Sequence, residues 1–175
     1  MFTQVKKIAL AASVSMIALS GAAIADTDIK ISNVNVEASM SAATDSNAME
    51  FYPEIATDIQ TAVASMVPLS DDGADPEIRI DIRKISMDGT TMLPDHKKFN
   101  ELEGVVNITN PTGANAGLSF PINIAAYSGE KIVPEGYIAV LPSDEDFYAA
   151  MVAAFASSVV EGLSNVNTAG DAISK

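Results

Sequence analysis

Apolar residues recur along this chain with two periods, close to two in some stretches and close to four in others. Ile29 and Ile31 alternate with polar neighbours, and Val34 and Val36 then continue on the opposite parity. Side chains on a strand point alternately to its two faces, so this parity change predicts a bulge near Ser32 and Asn33. Ser41 to Asn47 is small and polar and reads as a connection. Phe51, Ile55, Ile59, Val63 and Val67 follow at four-residue steps, with Met66 beside them and Asp58 and Gln60 off the stripe. That spacing predicts an amphipathic helix. Pro53 is compatible only with its first turn, and Pro68 ends it.

After an acidic turn over Ser70 to Pro76, Ile78, Ile80 and Ile82 alternate with Arg79, Asp81 and Arg83. This is the clearest half-buried strand in the chain, and Asp88-Gly89 closes it. A polar loop leads to a third strand from Leu102 to Thr109, in which Leu102, Val106 and Ile108 share one parity. The turn signal Asn110-Pro111-Thr112-Gly113 precedes a fourth strand with Leu118, Phe120, Ile122 and Ile124 inward. Pro121 lies on the outward parity and has no N–H to give to a ladder, so this strand is expected to be an edge or to carry a bulge. Gly129, Pro134-Glu135-Gly136 and Pro142 break up the next stretch, where Ile138 and Val140 are spaced for a short extra strand.

Ser143-Asp144-Glu145-Asp146 is a capping box with acids at the positive end of a helix dipole. Phe147, Met151, Phe155, Val159 and Leu163 then form a stripe flanked by Tyr148 and Val152. Residues 167–175 read as a frayed polar tail. The order is therefore strand, helix, three strands, helix. Strands with one apolar face and helices with one apolar stripe are dried together by one arrangement. It is an α+β fold, a mostly antiparallel four-stranded sheet with two helices packed on one face. The other face is expected in water, carrying Arg79, Asp81, Arg83, Glu101, Glu103 and Asn107.

The N-terminus has a different logic. Lys6 and Lys7 precede an uncharged run from Ile8 to Leu19, and Ala23-Ile24-Ala25 places small residues before Asp26. Residues 1–25 thus read as a cleavable signal peptide, since a membrane span needs about 20 apolar residues and this run is shorter. Residues 26–166 are left as a single domain of about 150 residues with its tail. A chain of that size buries roughly 68–70% of its unfolded surface, enough to be stable without disulfides or metal. The sequence contains no cysteine, so it offers no disulfide, no thiol nucleophile and no lipidation site at the cleavage junction. A soluble protein of the periplasm, or one released outside the cell, is the expectation, with no integral membrane segment once the signal is cleaved.

Removing residues 1–25 leaves eight basic against 23 acidic side chains, a net charge of −15. Such a surface repels phosphates, which makes nucleic acid a poor partner. Catalytic signals are weak. The single histidine, His96, stands beside Asp95 and before Lys97 and Lys98, and no G-x-S-x-G elbow is present. Adjacent Asp and His side chains rarely orient one another as a triad requires. One histidine without cysteine disfavours zinc. Asp71, Asp72, Asp75 and Glu77 are the best calcium candidates, but they lack the D-x-D-x-D-G-x5-E spacing and fit an ordinary turn. Asp144, Glu145 and Asp146 are accounted for by their place at a helix start. No phosphate loop or dinucleotide fingerprint is present, and no cofactor is expected. Arg79, Asp81 and Arg83 could bind an acidic partner, although cross-strand pairing with Glu101 or Glu103 is the favoured explanation.

In its order of elements behind a signal peptide, spanning about Asp28 to Val166, the chain resembles a group of small envelope proteins. They include the lipoprotein partner of the outer-membrane lipopolysaccharide translocon and the auxiliary lipoproteins of lipid-transport ABC systems. The resemblance is architectural, and this chain departs from both by lacking the lipidated cysteine. The absence of a catalytic constellation gives the expectation of a non-enzymatic protein that works through a surface, as an accessory or assembly factor, with another envelope protein as partner. An open sheet face and an edge strand are what such a role would use. A module binding a small apolar molecule between helices and sheet is the alternative, and a hydrolase built on His96 ranks third.

Overall fold

The computed structural model describes residues 29–42, 46–109, 117–126 and 143–173. Residues 1–25, the Asn110–Gly113 turn and the Ile138 and Val140 spacing lie outside the described residues. Four strands form one sheet, β1 (Asn33–Ala38), β2 (Glu77–Ser86), β3 (Glu101–Thr109) and β4 (Leu118–Ala125), in that spatial order. β2–β3 and β3–β4 are antiparallel, whereas β1–β2 is parallel, so the sheet is mixed. The parallel pair follows from a helix between neighbouring strands, which returns the chain to the end it started from.

The parity change before β1 has a visible cause. Ile31 bonds backbone to backbone with Pro68 and Ser70, whereas the Ser32 N–H turns the other way, to Pro76 O at 2.8 Å. The backbone changes neighbour at Ser32, and Ile31, Val34 and Val36 all end up buried. The four-residue stripe of the first helix is divided in two. Ala48–Phe51 forms a single turn, α1, and the chain restarts as α2 (Ile55–Met66) two residues past Pro53. Ile55, Ile59 and Val63 are fully buried along α2.

The last helix, α3 (Asp144–Ile173), continues through residues 167–173, where the sequence reads as a tail. Its start is a reciprocal box: Ser143 Oγ accepts from the Asp146 N–H at 3.1 Å, and Asp146 Oδ2 accepts from the Ser143 N–H at 3.3 Å. The segment Asp144–Leu163 is long and apolar enough, by length and composition, to cross a bilayer. Its apolar stripe, from Met151 and Phe155 to Val159 and Leu163, is instead buried in the core. α2 packs over β1, α3 over β3 and β4, and the two helices against each other.

Two glycines set how closely α3 approaches. A Cβ on Gly104 in β3 would lie 2.8 Å from Cζ of Phe155, so the ring sits directly on bare backbone. A Cβ on Gly162 of α3 would meet the Phe120 ring at 2.4 Å. At the far end of β2, Asp88 (φ 49°) and Gly89 (φ 82°) form a two-residue reversal closed by paired bonds between Met87 and Thr90. Both residues are left-handed, as the sequence Asp-Gly favours.

The connection before β3 is less polar in effect than in sequence. Leu93 and Phe99 are 3% and 2% exposed, and Asn47 ties this loop down with two bonds to the Leu93 backbone, at 2.7 and 2.9 Å. Phe99 meets Tyr52, Phe147 and Tyr148 edge-on, and Tyr52 stacks on Tyr148 at 5.3 Å.

Candidate interaction surface

The face of the sheet turned away from α2 and α3 is built by parity alone. On β2 the side chains alternating with the buried isoleucines are Glu77, Arg79, Asp81 and Arg83. The register sets Asn35 and Asn107 beside Arg79, and Glu37 and Val105 beside Asp81. On the far side Ser119, Pro121 and Asn123 of β4 continue the rows. The five predicted residues, Arg79, Asp81, Arg83, Glu101 and Glu103, therefore share one face, and both arginines are exposed, at 63% and 60%.

Their pairing differs from expectation. Arg79 binds Glu77 at 2.9 Å and Arg83 binds Asp81 at 3.1 Å, both within β2, while Glu101 and Glu103 are taken by Lys84 at 3.3 and 2.9 Å. The reason is a bulge. Ile82 pairs with Gly104 and Lys84 with Glu103, leaving Arg83 without a partner residue on β3. One inserted residue reverses the parity beyond it. Lys84, which strict alternation would place inside with the isoleucines, is turned outward opposite the two glutamates, and Ile85 takes the inward place.

Glu101 is the most strongly held acid on this face. Its Oε2 accepts from Ser86 Oγ, from Lys84 Nζ and from the Gly89 N–H, which binds the open face to the β2 reversal. The Ser86 hydroxyl, followed by Lys84, holds its carboxyl below the usual carboxylate range. The Arg79 guanidinium does the same for Glu77. The hydrogen bond to Glu103 raises the Lys84 ammonium above its ordinary value. Asp81 keeps one oxygen, Oδ1, buried and without a hydrogen-bond partner.

The other candidates are dispersed. Asp72 is engaged in its own turn, where its Oδ1 accepts the Ala74 N–H at 2.9 Å and its carbonyl the Asp75 N–H at 3.0 Å. Glu77 faces Arg79 and Asn33 rather than the acidic turn. Among the described residues no group of three or more His, Asp or Glu side chains is placed to hold a metal ion. His96 is exposed, and its Nδ1 accepts the Lys98 N–H at 3.2 Å. Asp144 contacts Lys98 at 3.0 Å from the start of α3.

Two grooves open to solvent are present among the described residues. One, of about 350 Å³, runs between α2 and α3 past Asp58, Ala62, Met66, Tyr148 and Val152. The Tyr148 hydroxyl donates to Asp58 Oδ2 there at 2.6 Å, and burial, then Asp58, pushes its pKa well up. The other, of about 280 Å³, follows β4 beside α3. Between α3 and the middle of the sheet, where an apolar ligand would have to enter, Phe155 lies on Gly104 and fills the space.

The aromatic cluster and the two grooves escape a reading of the sequence. Phe99 and Leu93 sit in a segment without period, and grooves arise between elements far apart in the chain. The position of Pro121 was the one advance signal, since it marks β4 as an edge.

No family model matches this chain, and no curated protein matches it either. Among solved structures it is similar to a protein described as a lipoprotein, from Caulobacter crescentus CB15, at 11% sequence identity and a TM-score of 0.31. That similarity covers 78% of this chain and 91% of the other.

Proposed function

We propose that this protein is exported to the periplasm and works there as a soluble, non-enzymatic accessory or assembly factor of the cell envelope, docking another envelope protein on its surface. Export is supported by the Lys6-Lys7, Ile8–Leu19 and Ala23-Ile24-Ala25 pattern. The observation that carries the docking role is the sheet face opposite the helices. Apart from Ser86 its described side chains are exposed or half-buried on all four strands, and Arg79 and Arg83 stand mostly in solvent. Their ion pairs lie within one strand and at the surface, where such pairs contribute about 0–1 kcal/mol and exchange readily for a partner's groups.

A small-ligand role is less well supported, because the space between α3 and the sheet is packed solid at Phe155 and Gly104. A triad on His96 is supported least, since Nδ1 is taken by a backbone amide and no hydrogen bond joins His96 to Asp95.

Photo-crosslinking in intact cells tests the docking role. A benzophenone side chain at Asn107 on the open face should give a discrete adduct with another protein, and one at Gln60 on the outer side of α2 should not. Monomer alone at both positions, or the same adducts at both, would overturn it. N-terminal sequencing of the exported form should begin at or near Asp26, and an intact Met1 would refute export.

A further inference from the structure

The sheet ends on two edges of different character. At β1 the outer side is already engaged at Ile31, which bonds Pro68 and Ser70, and Val34 and Val36 are 4% and 9% exposed. At β4, the last strand in the order, no described residue pairs with the outer side. The Ala126 N–H donates to Asn100 O, on the β3 side, at 2.8 Å. Backbone groups alternate in direction along a strand, so Phe120, Ile122 and Ile124 face β3, and Ser119, Pro121, Asn123 and Ala125 face outward. Pro121 agrees, because it occupies one of the outward positions, where no ladder bond is lost. All four outward residues are exposed, and the N–H groups of Ser119, Asn123 and Ala125 have no hydrogen-bond partner among the described residues.

The second observation is the groove beside that edge, with Phe120 and Gly162 at its base and Ser158 and Glu161 on the helix side. A strand edge lined by a helix offers both parts of strand-addition recognition: main-chain bonds for affinity, and a recess for alternate side chains. We propose that β4 and this groove accept an extended segment of a partner protein as a fifth strand. Its alternate side chains, small and hydroxyl-bearing to suit Asn123 and Ser158, enter the groove, and a Lys or Arg meets Glu161, the one charged residue lining it. The proposal rests on the preceding reading only in taking the partner to be a protein.

Charge and proline select against a second copy in this role. Two β4 edges laid together would each lack the Pro121 donor, and each would bring its own Glu161. A partner strand has a full set of donors for the four outward carbonyls, and only its own carbonyl opposite Pro121 is left to water.

The test uses the exported, full mature chain labelled with ¹⁵N and a ten-residue probe peptide of alternating Val and Thr with one central Lys. Addition of the peptide should shift and protect the Ser119, Asn123 and Ala125 amides. The same peptide N-methylated at alternate residues should bind at least tenfold more weakly. Asn123→Pro removes an outward donor that the fold does not use, and should abolish binding while Asn123→Ala retains it. Glu161→Gln should weaken binding severalfold, with the difference vanishing in high salt. Equal binding of the methylated peptide, unmoved β4 amides at millimolar peptide, or a dimer joined through β4 in sedimentation would overturn the proposal. None of these outcomes bears on crosslinking at Asn107, so the two readings fail separately.

Discussion

The two faces of one sheet follow opposite rules in this molecule. On the covered face, Ile78, Ile80, Ile82 and Ile85 of β2 are all 2% exposed or less. On the open face, Arg79 and Arg83 of the same strand keep about three fifths of their side chains in solvent. The covering layer is also one-signed. Neither α2 nor α3 carries a Lys or Arg, whereas the open face carries both signs, side by side within β2. Stability is therefore concentrated where rings meet bare backbone, and the open face is left free to vary in chemistry without loss of fold.

Substitutions rank that contrast. Phe155→Ala removes the ring seated on Gly104 and should lose about 3–5 kcal/mol in urea unfolding. A loss no larger than that of an open-face arginine would end the distinction between the faces. Gly104→Ala should lose about 1–3 kcal/mol, because its Cβ would also stand 3.0 Å from the carbonyl of Asp81, which is backbone and cannot swing away. Asn47→Ala leaves a loop amide and carbonyl unpaired beneath Leu93 and should lose about 1–3 kcal/mol, with faster amide exchange around Leu93 and Phe99.

Acid should act through the open face. Glu101 and Glu77 are held below their ordinary range in the folded state, so their contribution is present above the unfolded value of about 4.3 and is lost as pH falls through the folded values. Glu101→Gln should flatten the acid limb of a melting-temperature profile, and an unchanged limb would show that its bonds to Ser86 and Lys84 do not form in solution. The smallest effect is expected for Arg79→Ala and Arg83→Ala, each within about 0.5 kcal/mol of the parent by the same unfolding assay.

Legibility followed period. Ile78, Ile80 and Ile82, and the α3 stripe with its Ser143–Asp146 box, were readable because burial on one side leaves a regular trace in the order of residues. Membership of the open face was readable for the same reason, except at Lys84 beyond the bulge. The pairing on that face was not, because the extra residue at Arg83 leaves no mark in the pattern and yet decides that Lys84, rather than Arg79 or Arg83, meets Glu101 and Glu103. Phe99 and Leu93 were likewise hidden, since a loop has no repeating face from which burial can be inferred.

What the chain order determined by itself was which side of each element seeks the core, because that depends only on residue spacing and the solvation of side chains. Tertiary structure alone decided who meets whom: the parallel joining of β1 to β2, the ring of Phe155 against Gly104, the aromatic cluster around Phe99, and the groove between β4 and α3. These depend on distances between segments far apart in the chain. Such distances are fixed by shape and packing rather than by any local preference.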